Sequence, residues 1–277
     1  MQAEEAHHGP QRLLKPLKRL PDGGFSKIGL DHDRFRLNRS VSVNHGLGSA
    51  EYGRAAQLLE DEALIDFVNI SLGNYQTFAK MIGGMHEPAG YEMSTSAPIA
   101  HCLNSPAIVT GRFRTLEEAD AVIRAGDADM VSFVRALIAD PELVNKTIAG
   151  TPEQVRPCIA CNQGCLARAL ELPFRMGCTV NQGAGFDRTL GDDRLAPAAA
   201  PRRLLVVGGG PAAIEAACVA ALRGHKVTLA EAAADLGGAM IAAARAPTRH
   251  GMGDITTWLE QEIYRLGGEV RLSTYVA

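Results

Sequence analysis

The chain has 277 residues, of which 28 are Lys or Arg and 31 are Asp or Glu, so its formal net charge is −3. This length favours about two domains, and a hydrophobic fraction of 46% with 21% charged residues is typical of a folded globular protein. The nearly balanced charge gives no electrostatic reason to expect nucleic acid or a membrane surface as a partner. The sequence has neither a run of ~20 apolar residues nor the apolar core of a signal peptide, so we expect a soluble cytoplasmic protein.

Residues 1–50 show little hydrophobic periodicity and several Pro and Gly residues, which predicts loops, short helices or disorder. Helices and buried strands alternate through a second part, residues 51–150. Its predicted helices are residues 51–64, 115–126 and 140–150, and its predicted strands are residues 64–73, 107–113 and 128–136, with a long loop after the first strand. Thr115 and Glu118 form a capping box, and Gly126 ends that helix. This alternation predicts a parallel sheet with helical crossovers.

Residues 151–194 carry four of the six cysteines and little periodic structure. Cys158, Cys161, Cys165 and Cys178 fall within 21 residues, and in a cytosolic chain such clustering indicates metal binding rather than disulfides. A structural zinc site commonly uses two separated Cys-x-x-Cys pairs. An iron–sulfur cluster suits three close cysteines and a remote fourth, so this spacing favours [4Fe–4S] over zinc. The isolated Cys102 and Cys218 are predicted core residues.

A third part, residues 195–277, begins with a linker rich in Ala and Pro and continues as a strand–helix–strand unit. Gly208-x-Gly210-x-x-Ala213 joins its first strand to its helix, where glycines permit a tight turn and the close approach of a pyrophosphate. Glu231 ends the next strand and is placed to accept hydrogen bonds from an adenosine ribose. Gly238 fits a second close approach to the ligand. We therefore predict a Rossmann-like nucleotide site, against the alternative of an ordinary glycine-rich turn.

The segment VTGRFRTLEEADAVIRAGDADMVSFVRALIADPELVNKTIAG followed by CIACNQGC resembles the iron–sulfur flavoprotein branch of the old yellow enzyme family. Members such as 2,4-dienoyl-CoA reductase and trimethylamine dehydrogenase join a (β/α)8 barrel with FMN, a [4Fe–4S] cluster, and an FAD- or ADP-binding domain. The resemblance covers residues 51–277. It implies an α/β fold that comprises barrel strands six to eight, the cysteine segment, and the start of an FAD/NAD(P)-binding domain.

The resemblance also implies roles for residues at the ends of these strands. Gly111 and Arg112 at the end of strand seven and Arg135 at the end of strand eight are expected to contact the FMN phosphate. The four clustered cysteines are the expected ligands of the [4Fe–4S] cluster. Asn74 occupies the place of an aspartate in the amine dehydrogenases, and an amide side chain cannot act as a base. This difference favours reduction over amine oxidation.

A complete barrel needs ~250 residues, so the resemblance implies a chain truncated at both ends, without the family's catalytic residues and with open sheet edges. The expected function is an FMN- and iron–sulfur-dependent oxidoreductase that reduces an activated C=C bond with NAD(P)H. The alternatives are an N-methyl amine dehydrogenase or demethylase, or a cluster- and nucleotide-binding remnant without catalysis. A zinc-stabilised structural remnant is a further alternative. The expected partners are a small-molecule substrate, NAD(P)H, and a complementing chain or a second copy.

Overall fold

The computed structural model describes residues 36–39, 47–171, 175–191 and 194–276. In these residues the strands form two parallel sheets, one of four strands and one of three. Most of residues 1–50, for which loops or disorder were predicted, lies outside the described residues. No helix in the described ranges combines the length and the apolar character that a membrane crossing needs.

The first sheet has its strands side by side in chain order. The strands are β1 Arg36–Arg39, β2 Val68–Leu72, β3 Ala107–Val109 and β4 Met130–Val131. The helices of this part are α1 Ser49–Asp61, α2 Phe78–Met81, α3 Met93–Ala100, α4 Leu116–Ala125, α5 Arg135–Ala139 and α6 Leu143–Ile148. Val68 and Val109 in the central strands are fully buried, as expected for a sheet covered on both faces. Because all strands are parallel, the residues that follow β2, β3 and β4 lie along one edge.

Helix α4 begins and ends where the sequence predicts. The side-chain hydroxyl of Thr115 accepts the backbone N–H of Glu118 at 3.2 Å, and the Glu118 carboxylate accepts the N–H of Arg114 at 2.6 Å. Gly126 ends the helix in the left-handed region with φ +74°. These contacts satisfy backbone groups that a helix end leaves without partners. The capping-box prediction is confirmed.

Other elements of the first part differ from the expectation. β1 lies within residues 1–50, where no strand was predicted. β4 has two residues, so Arg135 begins α5 instead of ending a strand. The predicted long loop contains α2 and α3. The Asp140 carboxylate accepts the N–H of Glu142 at 2.9 Å, and helix α6 starts only at Leu143. A short apolar run does not by itself distinguish a strand from a buried helix.

The second sheet has strand order β5–β6–β7 and is built from the last part of the chain. Its strands are β5 Arg203–Val207, β6 Lys226–Ala230 and β7 Glu269–Arg271, and its helices are α9 Pro211–Leu222, α10 Ala239–Ala244 and α11 Asp254–Arg265. Ile214 on α9, Leu229 on β6 and Ile263 on α11 are fully buried and form the centre of its core. The strand–helix–strand unit predicted for residues 203–231 is therefore present in the structure.

The cysteine segment connects the two sheets. It contains a π-helical turn, Gln163–Ala167, and two short helices, α7 Arg168–Leu170 and α8 Asp187–Leu190. Cys158, Cys161 and Cys178 pack against the hydrophobic core of the second sheet. The cysteine segment and the unit built around the second sheet therefore share one core.

Candidate functional site

The four clustered cysteines line a single cavity. Its wall is formed by Arg135, Ile138, Cys158, Ile159, Ala160, Cys161, Asn162, Gly164, Cys165, Cys178, Thr179 and Val180. The remote Cys178, which is 13 positions after Cys165 in the sequence, thus faces the same space as the other three. Soft thiolate ligands select zinc and iron–sulfur clusters, so the donor set fits either group.

The backbone around the cavity has an unusual conformation. Ala160 and Asn162 both have left-handed backbone angles, with φ +51° and +58°. The N–H of Ala160 points toward the Sγ of Cys158 at 3.4 Å. Non-glycine residues rarely adopt this conformation, and such strain concentrates at functional sites. A loop that turns its N–H groups toward sulfur also stabilises negative charge on that sulfur.

Gly164 permits the close approach that brings Cys178 to the cavity. A Cβ at this position would lie 2.8 Å from the backbone C and Cα of Cys178, which is closer than real side chains come. The Gly164 carbonyl accepts the N–H of Gly177 at 2.9 Å and ties the two parts of the segment together. Sequence reasoning missed this role, although a glycine between clustered cysteines is a visible pattern.

Burial raises the pKa of the Cys158 and Cys165 thiols, while the positive charge of Arg135 opposes this rise. Buried thiols with raised pKa values stay protonated at neutral pH, and a coordinating metal replaces the proton. Among the described residues, no set of three or more Cys, His, Asp or Glu side chains is already arranged around a common metal position.

A second cavity lies at the ends of β3 and β4. It is lined by Thr110, Arg112, Phe113, Arg114, Ser132, Val134, Arg135, Ala136 and Cys158. Arg112 has a left-handed backbone with φ +61°, and its buried Nε atom has no hydrogen-bond partner among the described residues. Burial and the nearby charges of Arg114 and Arg135 lower the pKa of Arg112. A half-buried guanidinium among like charges is typical of an anion site.

Gly111 and Arg135 also lie beside this second cavity but make protein contacts. Gly111 packs closely on Gly90, whose N–H donates to the Gly111 carbonyl at 2.7 Å. Nη1 of Arg135 donates to the Gly83 carbonyl at 2.7 Å and to Oδ1 of Asn162 at 2.6 Å. Arg135 and Cys158 line both the cavity of the four cysteines, the cysteine cavity, and the second cavity, which we call the arginine pocket. The two cavities therefore adjoin each other.

The predicted nucleotide-binding turn has the expected backbone. Gly208 has φ +104°, and Gly210 is the N-cap of α9, so the N-terminus of that helix faces the turn. The N–H of Ala213 donates to the Gly210 carbonyl at 3.0 Å within the first turn of α9. Gly238 approaches Gly210 closely, because a Cβ there would lie 3.2 Å from the Gly210 Cα. Pyrophosphates bind at such helix N-termini.

Glu231 follows β6 directly, as predicted. Its carboxylate accepts the N–H of Gly209 and, at 2.7 Å, the N–H of Ala233. These two contacts fix its orientation at the edge of the turn. Carboxylate oxygens each accept more than one hydrogen bond, so a ribose hydroxyl can still be accommodated.

Asn74 lies in a closed turn after β2. Its Oδ1 accepts the Thr77 N–H at 3.0 Å, and its own N–H donates to the Thr77 hydroxyl at 3.0 Å. The side chain thus stabilises local backbone. Of the histidines, His86 lies with Arg112 and His250 in a further cavity, a grouping that no local sequence pattern indicated.

Arg156 is a further residue that sequence reasoning missed. Its guanidinium donates to the Val180 carbonyl at 2.7 Å and pairs with the Glu215 carboxylate on α9 at 2.9 Å. It also stacks on Trp258 of α11 at 4.3 Å from the ring centre. It thereby joins the cysteine segment to two helices that pack on the second sheet. Its partners lie 24 to 102 positions away in the sequence, so no local pattern could identify it.

Comparison with known proteins gives two family matches that follow each other along the chain. Residues 25–154 match the NADH:flavin oxidoreductase / NADH oxidase family, and residues 164–263 match the pyridine nucleotide-disulphide oxidoreductase family. The first match begins at residue 25, inside the segment for which the sequence analysis found no resemblance. The second begins inside the cysteine segment.

Individual relatives agree with these matches. The chain is 39% identical over 213 residues to a metal reductase of Desulforamulus reducens, covering 76% of this chain and 31% of the relative. It is 35% identical over 245 residues to an NADH oxidase of Thermoanaerobacter brockii, covering 88% of this chain and 37% of that relative. The chain thus spans about a third of the length of these curated relatives.

A solved structure of 2-naphthoyl-CoA reductase in complex with 2-naphthoyl-CoA superposes with a TM-score of 0.79 at 28% identity, over 87% of this chain and 36% of that one. Alkene reductases and amine dehydrogenases both occur among the relatives. The chain belongs to the NADH:flavin oxidoreductases of the old yellow enzyme family, in the branch related to 2,4-dienoyl-CoA reductase.

Proposed function

We propose that this chain is part of an FMN- and iron–sulfur-dependent oxidoreductase that reduces an activated C=C bond with NAD(P)H. The observation that carries the proposal is the cavity lined by all four clustered cysteines, which adjoins the arginine pocket and packs on the core of the nucleotide-binding unit. The two cavities share Arg135 and Cys158, and three of the four cysteines pack on the core of the second sheet. Such an arrangement suits an enzyme in which electrons move between cofactors.

Cys158, Cys161, Cys165 and Cys178 would hold a [4Fe–4S] cluster, which supplies one-electron transfer when bound. The three-plus-one spacing supports this cluster, and the shared cavity supports the same four residues as its ligands. The surrounding apolar residues Ile138, Ile159 and Val180 limit the access of water to the sulfur atoms. Zinc bound by the same four thiolates is the outcome that metal analysis must distinguish.

Gly111, Arg112 and Arg135 would contact the phosphate of FMN. The support is the guanidinium of Arg112. Its buried Nε lacks a partner in the part of the chain that the structure describes, and its pKa is lowered by burial and by like charges. A dianionic phosphate would neutralise these charges and accept their N–H groups. In this proposal β2, β3 and β4 are barrel strands six, seven and eight, and the phosphate lies at their carboxyl ends, as in other barrels of this type.

Gly208, Gly210, Ala213, Glu231 and Gly238 would bind FAD, or ADP or NAD(P) in its place. The left-handed Gly208 and the close packing of Gly238 on Gly210 leave room for backbone to approach a pyrophosphate. Glu231, held by two backbone N–H groups, would accept from the adenosine ribose. These residues bind and orient the nucleotide beside the shared core.

The choice of C=C reduction over amine oxidation rests on Asn74. Its amide cannot take up a proton, and its Oδ1 is engaged by the Thr77 N–H. A carboxylate at that place would be able to act on an amine substrate, whereas reduction of a conjugated C=C bond does not require one there.

The test is anaerobic purification followed by iron, sulfide and flavin analysis. We expect about four irons and four sulfides per chain, and their loss in Cys158→Ser and Cys178→Ser but not in Cys102→Ser. FMN retained by this chain alone would show that it completes its own flavin site, and FMN retained only with another protein would show a complementing partner. Zinc, or no metal, in the wild-type protein would contradict the proposal. Alkene and N-methyl amine substrates, assayed with the flavin-loaded protein, then separate the two reaction types.

A further inference from the structure

Arg135 occupies the wall between the cysteine cavity and the arginine pocket. Its Nη1 atom donates to the Gly83 carbonyl, in the loop after β2, and to the side chain of Asn162, between Cys161 and Cys165. Asn162 in turn donates from Nδ2 to the Ile82 carbonyl at 3.1 Å. The guanidinium is therefore held on both sides, by the loop after β2 and by the cysteine loop.

The charge of Arg135 differs from that of two other arginines near the cysteine segment, Arg114 and Arg156. Arg114 forms an ion pair with Asp254 at 2.6 Å, and Arg156 forms one with Glu215 at 2.9 Å, so a carboxylate compensates each of them. The hydrogen bonds described for Arg135 go to a carbonyl and an amide oxygen, which are neutral. Its positive charge consequently acts on the cavity with less local compensation.

We propose that Arg135 raises the reduction potential of a cluster held by the four cysteines, and that Asn162 fixes the guanidinium in the position where it does so. The inference rests on the proposed function, because it concerns the same cavity. Four thiolates give the site a negative charge, and reduction adds one electron and no proton. A fixed positive charge in the wall therefore stabilises the reduced state more than the oxidised state.

Asn162 acts as a positioning residue. It is held in a left-handed conformation, and its side chain both accepts from Arg135 and donates to Ile82. Removal of this amide leaves the charge of Arg135 in place but releases it from the cysteine loop. The effect of Asn162 on the potential must then be smaller than that of Arg135 and have the same sign.

The experiment is a reductive titration of the reconstituted, flavin-free protein with dithionite, followed by electron paramagnetic resonance. The variants are Arg135→Gln, Arg135→Lys and Asn162→Ala, and Arg124→Gln on the exposed face of α4 is the control. In Arg135→Gln we expect the ratio of reduced to oxidised cluster at a fixed potential to fall about tenfold, which is 59 mV for one electron. Arg135→Lys should restore most of this ratio, Asn162→Ala should show a smaller fall, and Arg124→Gln should show none.

Iron and sulfide analysis of each sample separates a failure of the proposed function from a failure of the inference about Arg135. Wild-type protein that takes up no iron overturns the proposed function and this inference with it. A full iron content in Arg135→Gln with an unchanged potential overturns the inference alone. If Arg135→Gln fails to hold iron, Asn162→Ala decides the question, since an unchanged potential in that variant contradicts the positioning of Arg135 by Asn162.

Discussion

Replacing Gly164 by alanine tests whether close backbone packing brings Cys178 to the cysteine cavity. The new Cβ would lie 2.8 Å from the backbone of Cys178 and 2.8 Å from the backbone N of Thr179. Backbone atoms cannot rotate away as a side chain does, so the two parts of the segment must separate. Such overpacking costs about 1–3 kcal/mol of the free energy of unfolding, and we expect the upper half of that range. The separation moves Cys178 away from the other three cysteines, so iron binding should fall as well.

The assay is urea unfolding of the metal-free protein, followed by the fluorescence of its single tryptophan, Trp258. Iron per chain after anaerobic reconstitution is measured in parallel. Gly251→Ala is the matched control, because its Cβ would meet no atom nearer than 3.6 Å, an ordinary contact distance. A Gly164→Ala protein with the unfolding midpoint and the iron content of the wild type would refute the packing argument.

Four further predictions concern side chains away from the contact between Gly164 and Cys178. Arg156→Met should lower the free energy of unfolding by about 2 kcal/mol, which is less than for a fully buried pair because this ion pair with Glu215 is partly exposed. The loss of the stacked guanidinium should also shift the emission of Trp258 to longer wavelength. An unchanged urea midpoint would contradict this prediction. Arg112→Gln should leave the stability of the flavin-free protein unchanged or higher, because burial and like charges penalise the charged guanidinium. The same substitution should weaken FMN binding by about tenfold or more in a flavin-fluorescence titration. Burial raises the pKa of Cys218 to about 12, so the folded protein keeps a proton that the unfolded chain loses near pH 9. The free energy of unfolding should therefore decline from about pH 9 to about pH 12. Urea unfolding should show this decline in the wild type and a smaller one in Cys218→Ala. The prediction of a core position is confirmed for Cys218, which is buried, and wrong for Cys102, which is exposed. At pH 8, iodoacetamide should therefore modify Cys102 in the native protein and spare Cys218.

The sequence indicates those features that depend on neighbouring residues. The capping box of α4 and its glycine end are local hydrogen-bond patterns, and the structure contains both. The glycine turn before α9 is local too, and Gly208 adopts the left-handed conformation that the motif requires. By contrast, α3 contains Pro98, which disfavours a helix. The helix forms because Ala97 and Ile99 are buried against the first sheet, and that packing depends on tertiary structure.

In the candidate site, too, the sequence indicates the local features and misses those that depend on tertiary packing. The spacing of the cysteines indicates a metal site, and the structure brings all four to one cavity. The placement of Arg135 at a strand end was wrong, because the apolar run that contains it forms a short strand and then a helix. Its contact with Asn162 spans 27 positions. Such a contact arises from how the loop after β2 and the cysteine loop pack, which hydrophobic periodicity does not encode.

The packing of Cys158, Cys161 and Cys178 on the core of the second sheet has a consequence for recombination and engineering. A cut at the Ala- and Pro-rich linker near residue 195 looks natural in the sequence, yet it would expose apolar surface on both pieces. A graft of the second-sheet unit onto another protein should therefore start before Cys158 and carry the cysteine segment with it. Exchange between related proteins is then expected to move the cysteine segment and the second-sheet unit together.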